Sequence, residues 1–303
     1  MLKASIDLGT NTCLLLIAEW DENKKEVASV LGDFANVVRL GEGVDKTKEF
    51  SKPAMDRAYA CLKKYCNELE KFHLTPAQTI CVATSQARDA KNSLSFFSEI
   101  KSHVGFDFQI LSGSEEAGFT FTGALLPDMN AKETLVIDIG GGSSEIMSAH
   151  SGMSLDVGSV RFTERFLKSD PVTDNEFWNC QKAIDEVIDH NIIKHLPWRE
   201  KNPSLQLLAV AGTATTLAQL HLNLKQFDAN QIDSCLLTRG DVHRMVEELK
   251  WRTISERLSL PGVGEGRADV LLAGALILWR VMEIFNFTNT RVSTRGLRFG
   301  VFV

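Results

Sequence analysis

Apolar and polar positions switch between two periods along the chain. The stretch "LKASIDLGTNTCLLLIAEW" gathers apolar residues into two runs on either side of "DLGTNT". It predicts strands over 3–9 and 12–19 joined by a tight turn, with a third strand within 26–40. From Ser51 to Phe72 the apolar residues return every three or four positions, with Ser51 as N-cap and Pro53 in the first turn. That is the pattern of an amphipathic helix. "TICVAT" (79–84) and "FDFQIL" (106–111) read as strands, the first followed by a helix from Ser85. "SGSEEAGFTFTGALL" (112–126) opens a further helix. Beyond a polar linker from Pro127 to Lys132 the chain begins again, with a strand at "TLVIDI" (134–139) followed by "SEIMSAH" and "MSLDVG". A helix is predicted around 174–194, then a buried strand "LQLLAVAG" (205–212) feeding the helix "TATTLAQL". Two last helices are predicted over Gly240 to Leu258 and Glu265 to Phe285.

The two beginnings resemble each other. "SIDLGTNTCLLLIAE" (5–19) and "VIDIGGGSSEIMSAH" (136–150) share one layout: apolar strand, Asp, apolar residue, Gly, small-residue turn, second apolar stretch. Each begins a set of three strands followed by helix, strand and helix. The chain therefore reads as two copies of one α/β unit facing each other across a cleft, each built on a mixed sheet.

Composition narrows the function classes. The chain has 303 residues, 44% hydrophobic and 24% charged, room for two domains of a globular protein. A net charge of -6 and a pI near 5.7 lack the broad basic face of a nucleic-acid binder. Six cysteines form no CxxC pair and no zinc-ligand spacing, which suits scattered thiols in a reducing compartment. The N-terminal run carries Asp7 and has no secretory cleavage pattern. "VLLAGALILW", Val270 to Trp279, is too short to cross a bilayer. The expectation is a cytoplasmic protein with neither a nucleic-acid nor a membrane partner.

The candidate chemistry lies in the turns. In "DLGTNT", Gly9 permits a tight turn, while Thr10, Asn11 and Thr12 offer backbone N–H groups and side-chain donors to an anion. A plain hairpin turn would use the same residues. "DIGGGSSE" has three consecutive glycines, more than a hairpin needs, between Asp138 and Glu145. Close approach of a ligand to Gly140, Gly141, Gly142 and Ser143 explains them better than a flexible loop does. The two acids are able to hold a divalent metal through waters. "AVAGTATTLAQL" places Gly212 and Thr213 at a helix N-terminus, an anion site or a close packing turn. In "SGSEEAG", Ser112 and Glu115 fit a capping box, which leaves Glu116 free to act elsewhere. Arg88, one turn after a strand, suits a phosphate clamp or a solvated helix face.

Taken together these stretches resemble the exopolyphosphatase / guanosine pentaphosphate phosphohydrolase family of the actin–Hsp70–sugar-kinase superfamily. The matching runs are "IDLGTNTCLLL", "VATSQARDAKN", "ILSGSEEAGFTFTGA", "LVIDIGGGSSEI", "LDVGSVRFTERF", "LAVAGTATTLA", "LPGVGEGRADVLLAGALIL" and "STRGLRFGV", in the family's order. Threonines at 10 and 12 stand where the family usually has serines. The resemblance implies two actin-like (ribonuclease H-like) lobes with the active site in the interlobe cleft. The first lobe would take 1–122 plus about 286–303, the second 123–285. It implies that Glu116 is the catalytic base and that Arg88 contacts phosphate. It makes Gly9–Thr12, Gly140–Ser143 and Gly212–Thr213 the phosphate loops, with Asp7, Asp138 and Glu145 around a Mg²⁺ or Mn²⁺. Longer members carry further C-terminal helical domains, so processive work on long chains is not expected of a chain ending at Val303.

The implied reaction is hydrolysis of the terminal phosphoanhydride of inorganic polyphosphate. Guanosine pentaphosphate is the alternative substrate, and an ATP-binding kinase or regulatory module of the same superfamily the remoter one. The resemblance leaves room for a homodimer.

Overall fold

The protein, seen as a computed structural model, is described over residues 1–195 and 204–303. Its chain divides into two compact units, Met1–Gly123 with Gly296–Val303, and Ala124–Arg295.

The first unit opens with an antiparallel meander, β1 (Leu2–Leu8), β2 (Thr12–Asp21) and β3 (Glu26–Val37). β4 (Thr79–Ala83) and β5 (Phe108–Ile110) add to the other side of β1 in parallel, giving the order β3-β2-β1-β4-β5. The second unit repeats the plan. β6 (Thr134–Ile139), β7 (Ser144–Met147) and β8 (Gly152–Leu155) form its meander, and β9 (Gln206–Val210) lies parallel to β6. β10 (Leu236–Thr238) and β11 (Asn289–Val292) complete the order β10-β11-β9-β6-β7-β8. The mixed sheets are those expected, with β10 an added antiparallel edge.

Alternation in β2 explains why its sheet is covered on both faces. Cys13, Leu15 and Ile17 pack with β1 residues against the helices Lys52–Glu70 and Ser93–His103. Ser51 caps the first of these by accepting from the Ala54 N–H. Leu16, Ala18 and Trp20 face the other way and are covered by Phe299 and Phe302 from the last residues of the chain. Arg298 ties that segment down through Asp33, at 3.0 and 2.7 Å, and its carbonyl accepts from Ser5 Oγ at 2.6 Å. In the second unit the helix Leu271–Ile284 runs through the core, with ten of its fourteen residues buried. That accounts for the unbroken apolar run there.

Three expected boundaries move. The helix predicted over 240–258 is two, Arg239–Trp251 and Ile254–Leu258, because Thr253 forms a capping box with Glu256 and starts a new helix. Residues 265–270 are turns, and the helix begins at Leu271. The chain returns to the first unit at Gly296 rather than near 286, because Asn289–Val292 is captured as a strand between β9 and β10.

Candidate active site

In each unit the chemistry-bearing residues collect at one edge of the sheet. β1, β4 and β5 run parallel. Their carboxyl ends lead into the loop 9–12, into the helix Ser85–Asp89 that carries Arg88, and into the helix Gly113–Ala124 that carries Glu116. β6 and β9 do the same for the loop 140–143 and the turn at 211–213. In open α/β sheets this is the edge where ligands bind, beside the strand at which chain direction switches.

The two hairpin loops have one geometry. Gly9 N donates to Thr12 O at 2.9 Å, and Gly140 N donates to Ser143 O at 3.0 Å. Asp7 pairs across the ladder with Leu14, and Asp138 pairs at the equivalent place with Glu145. The bonds correct one detail: the N–H groups of Gly9 and Gly140 close the turns and are not donors to a ligand. The hydroxyls are also committed to the scaffold. Thr10 Oγ1 lies 3.1 Å from Gln86 Oε1, and Ser143 Oγ donates to Glu145 Oε1 at 2.7 Å. The N–H groups of Thr10, Gly141, Gly142 and Ser143 bond to no other described residue.

Each loop is held from behind. Thr10 O accepts from Gly41 N, and Asn11 O accepts from both Val38 N and Arg39 N. Gln86, fully inside the unit, donates from Nε2 to Leu8 O at 2.6 Å. The second loop is held by the start of the helix Ser159–Phe166. Ser159 N donates to Gly140 O, Val160 N and Arg161 N donate to Gly141 O, and Arg161 Nε donates to Gly142 O at 2.6 Å. Gly158 lets this helix come so close, since an added methyl would strike the Gly141 carbonyl.

Glu116 and Arg88, expected to act separately, are bonded. Arg88 Nη1 donates to Glu116 Oε2 at 2.7 Å and to Leu111 O at 2.8 Å. Glu116 is 7% exposed, and burial pushes its carboxyl above the ordinary range despite the neighbouring guanidinium. Ser112 and Glu115 form the predicted reciprocal cap, which explains Glu115 without chemistry.

At the third turn Ala211 adopts a left-handed φ of 66°, and the helix Ala211–His221 starts without a side-chain cap. Such a terminus presents backbone N–H groups and the positive end of the helix dipole. Thr213 turns its side chain inward against Gly274, which leaves only its main chain for a ligand. The guanidinium of Arg267 lies where a Gly212 side chain would be. Its pKa is pulled down to about 10 by burial, so it remains a cation.

Asp138 and Glu145 share one face of the β6–β7 ladder, but Glu145 is 1% exposed, and its Oε1 accepts from both Ser143 and Ser154. Among the described residues no group of three or more His, Cys, Asp and Glu side chains is gathered to hold a metal. This donor set does not make a closed protein cage. It fits a hard cation that keeps waters and takes further oxygens from its substrate.

The loop contacts of Gln86, Arg161 and Arg267 are not readable from pattern. Each lies within a motif quoted above, yet only the folded backbone shows which loop it supports. Among the described residues no helix is long and apolar enough to cross a membrane.

Two actin-like α/β units, each with a glycine turn at the carboxyl end of its first strand, together with the family match that follows, define the class: a phosphoanhydride hydrolase. The model of the Ppx/GppA phosphatase family matches residues 16–303, and the chain belongs to that family. It is 33% identical over 291 residues to exopolyphosphatase 2 of Mycobacterium tuberculosis, covering 91% of this chain and 88% of that protein. It is also 33% identical over 297 residues to a bifunctional 3-dehydroquinate synthase/phosphatase of Fusobacterium nucleatum, covering 94% of this chain but only 43% of the longer protein. A crystal structure of an exopolyphosphatase from Cytophaga hutchinsonii superposes with a TM-score of 0.85 at 27% identity, over 99% of this chain and 96% of that one.

Proposed function

We propose that the protein hydrolyses the terminal phosphoanhydride of inorganic polyphosphate and releases orthophosphate in the cytoplasm. The observation that carries this reading is Glu116: a buried carboxyl of raised pKa, held by Arg88 at the strand edge that also bears the first anion loop. A binding module would have no use for such a group, whereas a hydrolase needs it as general base. The kinship with an exopolyphosphatase over nearly its whole length supports the same reading.

In this mechanism Glu116 orients a water and takes its proton. The water oxygen bonds to the terminal phosphorus as the bond to the bridging oxygen breaks, and the shortened chain leaves as an anion. The N–H groups of the loops 9–12 and 140–143 and of the 211–213 turn bind non-bridging oxygens of phosphate. Arg88 lies beside Glu116 to bind the phosphate under attack. Asp7, Asp138 and Glu145 would hold a Mg²⁺ or Mn²⁺, which when bound neutralises charge on the phosphate oxygens.

Guanosine pentaphosphate offers the same terminal bond. Phosphate release with Mg²⁺ from polyphosphate, guanosine pentaphosphate and ATP, measured side by side, decides among them. Faster release from guanosine pentaphosphate would reassign the substrate, and release from ATP alone would overturn the reading. Glu116→Gln is expected to lower kcat by roughly 10²-fold or more with little change in substrate binding. Near-normal turnover would remove Glu116 from the role of base.

A further inference from the structure

The second loop has an arrangement that its glycines do not explain. Three successive carbonyls, those of Gly140, Gly141 and Gly142, all point toward the start of the helix Ser159–Phe166. Main-chain N–H groups hold the first two, Gly140 O through Ser159 N at 2.9 Å and Gly141 O through Val160 N and Arg161 N at 2.9 and 3.0 Å. The helix cannot reach the third with a backbone amide. The Arg161 side chain completes the set, with Nε 2.6 Å from Gly142 O.

In a trans peptide the C=O and the N–H of the next residue point in opposite directions. Turning the carbonyls of 140, 141 and 142 toward the helix therefore turns the N–H groups of Gly141, Gly142 and Ser143 away from it. A glycine loop would otherwise sample both faces of each peptide plane. Arg161 is only 6% exposed, and the contact of its Nη2 with Asp156, at 3.9 Å to an 83% exposed carboxylate, is weak. The short bond of this buried guanidinium goes to the Gly142 carbonyl, at 2.6 Å.

We infer that Arg161 is a positioning residue: it fixes the peptide plane between Gly142 and Ser143 so that the loop's N–H groups stay aimed at a bound phosphate chain. The inference rests on the reading of that loop as a phosphate site. The guanidinium does not touch the substrate. It acts by removing the alternative orientation of the loop, which lowers the cost of ordering it on binding.

The test uses tripolyphosphate as the probe, with binding by calorimetry and phosphate release by kinetics on the full chain. Arg161→Met is expected to raise Kd about ten-fold or more, the scale of losing a charge-assisted hydrogen bond that sets geometry. Arg161→Lys keeps the charge but not the in-plane Nε donor, and is expected to recover only part of the affinity. Arg165→Met removes an equal charge from the exposed side of the same helix and is expected to stay within two-fold. A purely structural loss would lower the binding stoichiometry and leave Kd of the folded fraction unchanged. That result would overturn the inference, as would full recovery by lysine or an equal loss in Arg165→Met. If the unmodified protein binds tripolyphosphate without hydrolysing it, Arg161 keeps its role and the hydrolase reading falls. If it does not bind, both fall.

Discussion

Glu116 shows how two neighbouring effects set one carboxyl. Burial disfavours its charge, Arg88 favours it, and burial wins. In the proposed mechanism the base works ionised, so activity is expected to fall as pH drops and the carboxylate takes up a proton. Because the pKa is raised, that fall begins at a higher pH than for an ordinary glutamate near 4.3. Arg88→Gln removes the opposing influence. The acid limb of kcat/KM, which reports the free enzyme, is expected to move further up in this variant. A limb that stays in place or moves down would show that Arg88 does not govern Glu116. The variant is also expected to bind phosphate chains more weakly, because the proposed mechanism gives that one guanidinium both tasks.

At the scale of elements, the proposed anion sites are made by strand ends and supported by whatever packs behind them. The turn at 211–213 depends on a missing side chain. A methyl on Gly212 would occupy the space of the Arg267 guanidinium. Gly212→Ala is expected to displace that arginine and weaken tripolyphosphate binding about ten-fold, with the melting temperature within a few degrees of the parent. Unchanged binding would detach Arg267 from the site. The strand–turn–helix rhythm, the repeat and the glycine turns were legible in the sequence because they follow from local periodicity and from φ/ψ limits. The partners of the loops were not. Gln86 is 76 residues from Thr10, and Arg161 is 19 from Gly142, so nothing local announces either pair. The break at Arg252 and Thr253 was missed for the opposite reason: apolar periodicity continues through it while a local capping box overrides it. The strand Asn289–Val292 was read as part of the return to the first unit because its four residues carry no alternation of their own and are fixed by ladders to β9 and β10.

For the whole molecule, the main departure from a simple tandem of two domains is that the first unit is discontinuous in sequence. Its sheet is completed on one face by Gly296–Val303, pinned by the two bonds from Arg298 to Asp33. Arg298 is 8% exposed, and Arg298→Met is expected to cost about 2 kcal/mol, because it leaves a partly buried carboxylate without its partner. Urea unfolding at neutral pH measures this, and a loss under about 0.5 kcal/mol would place it with ordinary surface pairs. The same discontinuity sets an order of events at the ribosome. Residues 1–123 emerge first, yet the face formed by Leu16, Ala18 and Trp20 stays bare until Phe299 and Phe302 have been made. The second unit is one uninterrupted stretch and has all its parts sooner. The unit whose first residues are synthesised early is therefore the one whose last parts arrive late, and until they do its apolar face is the one a chaperone would have to shield.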